Sequence, residues 1–115
     1  MKSVLSVESL EERKVNLIQE IIDKHSLNYV DWIRKKSCCI TGYEHSDPHH
    51  LDAIGMGQNR NRPSYKHFTC VPLCREKHSE LHQIGQRAFE QRYNCNLWEV
   101  AFYNYRNFCL TIDNS

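Results

Sequence analysis

Five of the seven histidines in this 115-residue chain lie between Asp47 and His82. Four of them form two tight pairs: the adjacent His49-His50, and His78 with His82 at i,i+4. Residues four apart on a helix share one face, so His78 and His82 can point the same way. A third imidazole from a preceding turn would complete a three-ligand metal site with open positions. Open positions mark a catalytic ion, whereas structural sites are usually closed. Between the pairs runs Gly55-Met56-Gly57-Gln58-Asn59-Arg60-Asn61-Arg62, followed by Pro63 and Lys66. Arg60 and Arg62 are good phosphate donors, and Asn59 and Asn61 tolerate the backbone angles of a tight loop. The combination fits phosphodiester hydrolysis. That chemistry needs a base to deprotonate water, a cation to neutralise developing charge, and groups that position the backbone.

The charge distribution agrees. The chain carries a net +1, but residues 1–31 sum to −2, residues 32–77 to +4 and residues 78–115 to −1. The positive excess therefore falls on the segment that holds the histidines, as a polyanion-binding surface requires. Solvated surface lysines would give the same count.

The elements that position these residues can be read from periodicity. Ser9-Leu10-Glu11-Glu12 fits a capping box. Leu10, Leu17, Ile18, Ile21 and Ile22 then recur at helical spacing, which predicts an amphipathic helix over Ser9–Lys24. Its apolar stripe could pack on the domain or pair with a second copy. A short second helix is expected over Asn28–Lys36, with His25 exposed at a helix end and Arg34-Lys35-Lys36 at a C-terminus or against phosphates. A strand and turn are expected over Ser37–Tyr43, and a second strand over His67–Leu73. His45 reads as a surface loop residue. A helix should start near Cys74 and run through Tyr93 without breaking at Gly85. A last helix should begin after Asn96, with Trp98, Phe102, Tyr105, Cys109 and Ile112 as core.

The stretch from about residue 37 to 93 resembles the HNH endonucleases, and most closely those of phages and prophages of Gram-positive bacteria. The residues that carry the resemblance are His49-His50-Leu51-Asp52-Ala53-Ile54-Gly55-Met56-Gly57, Asn59-Arg60, Leu73-Cys74-Arg75-Glu76, His78, Glu80 and His82. The resemblance implies an α+β fold with a small ββα-metal core, and helices at both ends. Residues 1–36 would be a helical segment packed on the core, 37–93 the nuclease core and 94–115 the C-terminal helix, all one compact domain. It also implies roles: His49, His78 and His82 as ligands of one divalent ion, His50 as general base. Asn59, Arg60, Arg62 and Lys66 would contact DNA. The Asn that orients the base in this family falls on Thr69. Either Thr69 does that work, or a neighbour such as His67 does. Asp47 and Asp52 are further candidate ligands or histidine orienters.

Many HNH relatives carry a structural zinc on two C-x-x-C knuckles. Here Cys38 and Cys74 stand at the first positions, but Thr41 and Lys77 occupy the second. The six cysteines are therefore expected to be thiols in a reducing compartment, without a structural zinc. All-histidine ligation suits Zn, Mn, Ni or Co, while Mg would want more oxygen donors. No apolar run is long enough for a membrane span. Met1–Glu8 does not read as a signal peptide, so a cytoplasmic protein is expected. The competing reading is a non-catalytic, metal-stabilised nucleic-acid-binding module, such as a recombination or packaging accessory. A third is a protein–protein module that dimerises through the N-terminal helix.

Overall fold

A computed structural model describes residues 7–55 and 57–113. Residues 1–6, which lead the N-terminal stretch considered above, lie outside the described residues, as does Met56 in the glycine loop. The fold is α+β. Helix α1 (Val7–Arg34) leads into strand β1 (Asp47–His50). Two short 3₁₀ turns follow (Gly57–Asn61 and Tyr65–Thr69), then strand β2 (Cys70–Leu73), α2 (Arg75–Ile84), α3 (Gln86–Tyr93) and α4 (Leu97–Asp113). Among the described residues no helix is long and apolar enough to cross a membrane.

β1 and β2 form a two-stranded antiparallel sheet with His49 opposite Val71 and His50 opposite Cys70. Pro48 faces Pro72. Neither offers an N–H, which suits a non-hydrogen-bonded pair of the ladder. The strand that opens the hairpin thus carries the histidines itself. Residues 37–41, expected as a strand leading into a turn at Gly42-Tyr43, are themselves part of the turn: Gly42 N–H donates to Cys38 O at 2.8 Å and Cys38 N–H to Tyr43 O at 2.7 Å. Cys39 N–H reaches the Pro72 carbonyl at 3.0 Å, which ties this turn to the outer edge of β2.

The two expected N-terminal helices are one, and it begins at Val7, ahead of the expected cap at Ser9. No Gly or Pro interrupts it, and its polar residues near the expected break find partners that keep the helix intact. Asn28 Nδ2 donates back to Lys24 O at 3.3 Å, and Ser26, fully buried, accepts from Ser64 N–H at 3.2 Å. His25 is consequently a mid-helix residue, half-buried, with its ring edge-on to Phe108. The C-terminal turns of α1 pack on α4 and β2 through Tyr29, Val30, Ile33, Cys70 and Phe108. Tyr29 stacks on Trp32 and meets Phe108 edge-on with centroids 5.1 Å apart. The N-terminal turns stand clear of the body, with Leu17 and Ile18 each 58% exposed.

A second cluster, Cys38, Val71, Leu73, Cys74, Leu81, Phe89, Leu97 and Ala101, seats the hairpin on α2, α3 and α4. Gly85 does break the helix expected to run to Tyr93. It sits at φ +87°, ψ 160°, a conformation that only glycine adopts freely, and ends α2 before α3 begins. On α4 the buried face is Leu97, Ala101 and Phe108. Trp98 and Phe102, expected in the core, lie one residue round the helix and are largely exposed. The expected cap holds: Asn96 Oδ1 accepts from Glu99 N–H at 3.1 Å.

Candidate active site

β1 and α2 bring the two histidine pairs together. Neighbouring strand residues point to opposite faces, so His49 and His50 leave β1 in different directions. His49 meets α2. Its Nδ1 lies 3.2 Å from His78 Nε2, and His82 Nε2 lies 3.1 Å from the same atom. These three imidazoles each offer a ring nitrogen within 4.8 Å of the others. The three residues named as ligands from the sequence are therefore the ones the fold gathers.

Their protonation suits an ion. Burial, then the neighbouring His78 and His82, pushes His49 down to about 4. Burial also lowers His78, although Asp47 opposes it. Asp47 Oδ2 is 3.3 Å from His78 Nδ1, and Arg75 Nε donates to the same oxygen at 2.8 Å. A carboxylate can only accept here. His78 therefore carries its proton on Nδ1 and presents the Nε2 lone pair to His49 and His82. Arg75 in turn holds Asp47 below the usual carboxylate range, so the orienting charge stays in place. Three imidazole nitrogens converging on one point, with an anchored carboxylate behind, fit a divalent cation.

His50 takes the other direction. Its Nε2 lies 2.9 Å from Nδ1 of His67, a fully buried residue on the second 3₁₀ turn, and His67 Nε2 lies 2.7 Å from Arg62 O. Burial, then the neighbouring His67 and Arg60, lowers His50 to about 4, so it is neutral at pH 7. A cleft of about 280 Å³ is lined by His49, His50, His78 and His82 together with Ile54, Gly55 and Arg60.

The remaining predicted residues divide. Arg60 faces the histidine cleft, while Asn59, Arg62 and Lys66 line an adjoining one that shares Ile54. Arg62 Nη2 donates to Gln58 Oε1 at 2.7 Å, and Lys66 Nζ donates to Ala53 O at 3.1 Å beside Asp52. Thr69, set by the HNH resemblance at the place of a base-orienting Asn, is occupied elsewhere. Its hydroxyl donates to Lys66 O at 2.7 Å and accepts from Asp52 N–H at 3.1 Å. Thr69 and Lys66 thus pin the turn that follows β1, and the hydrogen-bond partner of His50 is His67. His67 is the alternative named beside Thr69 from the sequence, and its partners, 17 and 5 residues away, are the ones the fold supplies.

Comparison with known proteins gives a family without an assigned activity. The chain is 38% identical over 74 residues to the "Uncharacterized protein YdfU" of Escherichia coli (strain K12), covering 64% of this chain and 20% of that protein. It therefore spans about a fifth of the length of this curated relative. No solved structure matches it. Residues 18–106, which include every histidine of the cleft and of the buried pair, match the family described as "Protein of unknown function (DUF968)", and the chain belongs to that family.

Proposed function

We propose that the protein is a metal-dependent endonuclease of the HNH type that hydrolyses DNA phosphodiester bonds, with β1, β2 and α2 as its ββα-metal core. One observation carries this reading. His49, His78 and His82 converge as a three-nitrogen set, and the strand residue beside them, His50, lines the same cleft in neutral form. A fourth protein ligand is absent from that set among the described residues. This favours an open, catalytic site over the closed sphere of a binding module. Imidazole donors suit Zn, Mn or Ni better than Mg. A divalent ion held there would supply Lewis-acid stabilisation of charge on the scissile phosphate and its leaving oxygen.

The chain's own groups do the rest. His50 accepts a proton from the attacking water at its unengaged ring nitrogen. The water oxygen bonds to phosphorus, the bond from phosphorus to the leaving sugar oxygen breaks, and that oxygen is protonated from solvent. Arg60, on the cleft wall, offers a planar pair of donors to a non-bridging phosphate oxygen. Asn59, Arg62 and Lys66 line the cleft next door, where a neighbouring phosphate of the same strand would lie.

The test is supercoiled-plasmid cleavage by metal-stripped protein with Mg, Mn, Zn or Ni added back, beside the His50→Ala variant. The expected outcome is metal-dependent nicking that falls by about 100-fold or more in the variant, the range for loss of a general base. Equal activity in both proteins would reject His50 as base. Binding of plasmid without cleavage under any metal would replace this reading with the non-catalytic module.

A further inference from the structure

We infer that His67 is the positioning residue for His50, and that it couples the base to the backbone of the loop carrying Arg60. The inference rests on the reading of His50 as the base; it gives to His67 rather than Thr69 the orienting role that the resemblance left open between them, and adds the link to the loop.

The argument is one of hydrogen-bond polarity. The Arg62 carbonyl can only accept, so His67 Nε2 must carry the proton in their 2.7 Å contact. A second proton on His67 would place a charge on a fully buried ring with no carboxylate in contact with it. A neutral His67 protonated at Nε2 has its lone pair at Nδ1. That atom must then accept, so His50 donates from Nε2 across their 2.9 Å contact. Three atoms in a row therefore have their roles fixed by the one carbonyl at the end. His50 is held as the Nε2–H tautomer, which leaves Nδ1 as the lone pair for water. A base in the wrong tautomer cannot accept a proton at the reacting position, and fixing the tautomer through a second group is how such residues act.

The same row has a second consequence. Arg62 is two residues from Arg60, and its carbonyl closes the 3₁₀ turn Gly57–Asn61 onto the body. A phosphate that pulls on Arg60 thus pulls on a loop anchored through His67 to the base. Ordering of the loop and orientation of the base share one ring.

The two nitrogens of His67 can be replaced one at a time. In His67→Asn the shorter amide keeps an acceptor near the Nδ1 position and loses the donor to Arg62. In His67→Gln the longer amide keeps a donor near the Nε2 position and loses the acceptor for His50. Steady-state cleavage should therefore split. His67→Asn retains kcat within about tenfold of wild type and raises KM, because the loop is released. His67→Gln keeps KM and loses kcat by about 100-fold, the scale of general-base loss. A residue that only fills the core would lower both variants alike, in proportion to their loss of melting temperature. A spectroscopic arm stands whether or not the protein cuts DNA. Long-range ¹⁵N–¹H correlation spectra of the imidazoles should show His50 as a single Nε2–H tautomer in wild type and in His67→Asn, and a tautomer mixture in His67→Gln. His50 protonated at Nδ1 in the wild type, or equal behaviour of the two variants in kcat and in the spectra, overturns the inference. Absence of cleavage in the wild type with the expected tautomers present rejects the nuclease reading and leaves the positioning role of His67 intact.

Discussion

The hairpin–helix unit has two ends that solve opposite problems. At one end, His49, His78 and His82 turn ring nitrogens toward one another, and among the described residues only His78 has its far nitrogen tied to a carboxylate. At the other end lie Cys38, Thr41, Cys74 and Lys77, the positions that the resemblance to HNH endonucleases would give to a zinc knuckle. There the polar groups answer each other. Thr41 donates its N–H to Cys38 Sγ at 3.5 Å and its hydroxyl to Cys74 Sγ at 3.7 Å. Burial raises the Cys38 thiol, but hydrogen bonds from Thr41 and from backbone amides outweigh it and bring it to about 7. Lys77 Nζ donates to Tyr93 OH at 2.8 Å and to Glu80 at 3.3 Å, and Glu80 also accepts from Arg92 and Tyr93. A network whose donors meet acceptors holds itself together. Three ring nitrogens gathered on one point, with one carboxylate behind them, leave room for a guest.

The largest effect that would break this comparison comes from one substitution at each end. His78→Ala removes the ligand that both other imidazoles face and that Asp47 orients. Divalent-metal affinity measured by calorimetry should fall by more than about 100-fold, beyond the 10–100-fold typical of losing an outer-shell partner. Cys74→Ser, which keeps an acceptor for Thr41, should leave that affinity unchanged. If the Cys74 variant loses the metal and the His78 variant keeps it, the assignment of the two ends is reversed.

A smaller effect comes from pH. His49 and His50 have folded-state values near 4 against 6.5 for a free imidazole, because burial penalises the cation. Between pH 6.5 and 4 the unfolded chain therefore binds more protons than the folded one, and stability falls as the pH is lowered through that window. It is fully present above 6.5. Urea midpoints of the metal-free protein should decline from about pH 7 to about pH 4, and His50→Ala should flatten part of that slope. A midpoint that rises on acidification would show that these rings are solvated and charged in the folded state.

The site was more legible than the scaffold around it. Ligand spacing is local: His78 and His82 are one turn apart on α2, and the pair His49-His50 is adjacent in sequence, so both could be named without knowing the fold. Arg60 could be named from its loop, and Asn96 as a cap from the residue type. What failed was tertiary. Ser26 and Asn28 look like helix breakers until their partners Ser64 and Lys24 are seen. Trp98 and Phe102 are large and apolar, yet Leu97 and Ala101 set the buried face. The HNH resemblance left the orienting role open between Thr69 and His67, and the bond to His50 depends on a turn that brings His67 underneath it. The chain could name both candidates, but only the turn could choose between them.

The smallest effect concerns the joint between the two ends. α2 carries His78 and His82 on one side and Lys77 and Glu80 on another, and α3 supplies Arg92 and Tyr93. Gly85 sets the angle between them at φ +87°, and a Cβ built there would meet nothing within 4 Å. The cost of Gly85→Ala is therefore the backbone conformation alone, on the order of 1–3 kcal/mol. Relief of that strain would swing α3 rather than α2, because α2 is fixed to the hairpin through Leu81 in the core and through the Asp47–His78 and Asp47–Arg75 contacts. Gly85→Ala should thus lower the melting temperature, and loosen the Lys77–Glu80–Tyr93 network, with metal affinity unaltered. A parallel loss of metal affinity would mean that the closed network at one end tunes the open site at the other, and the two ends would no longer be separable.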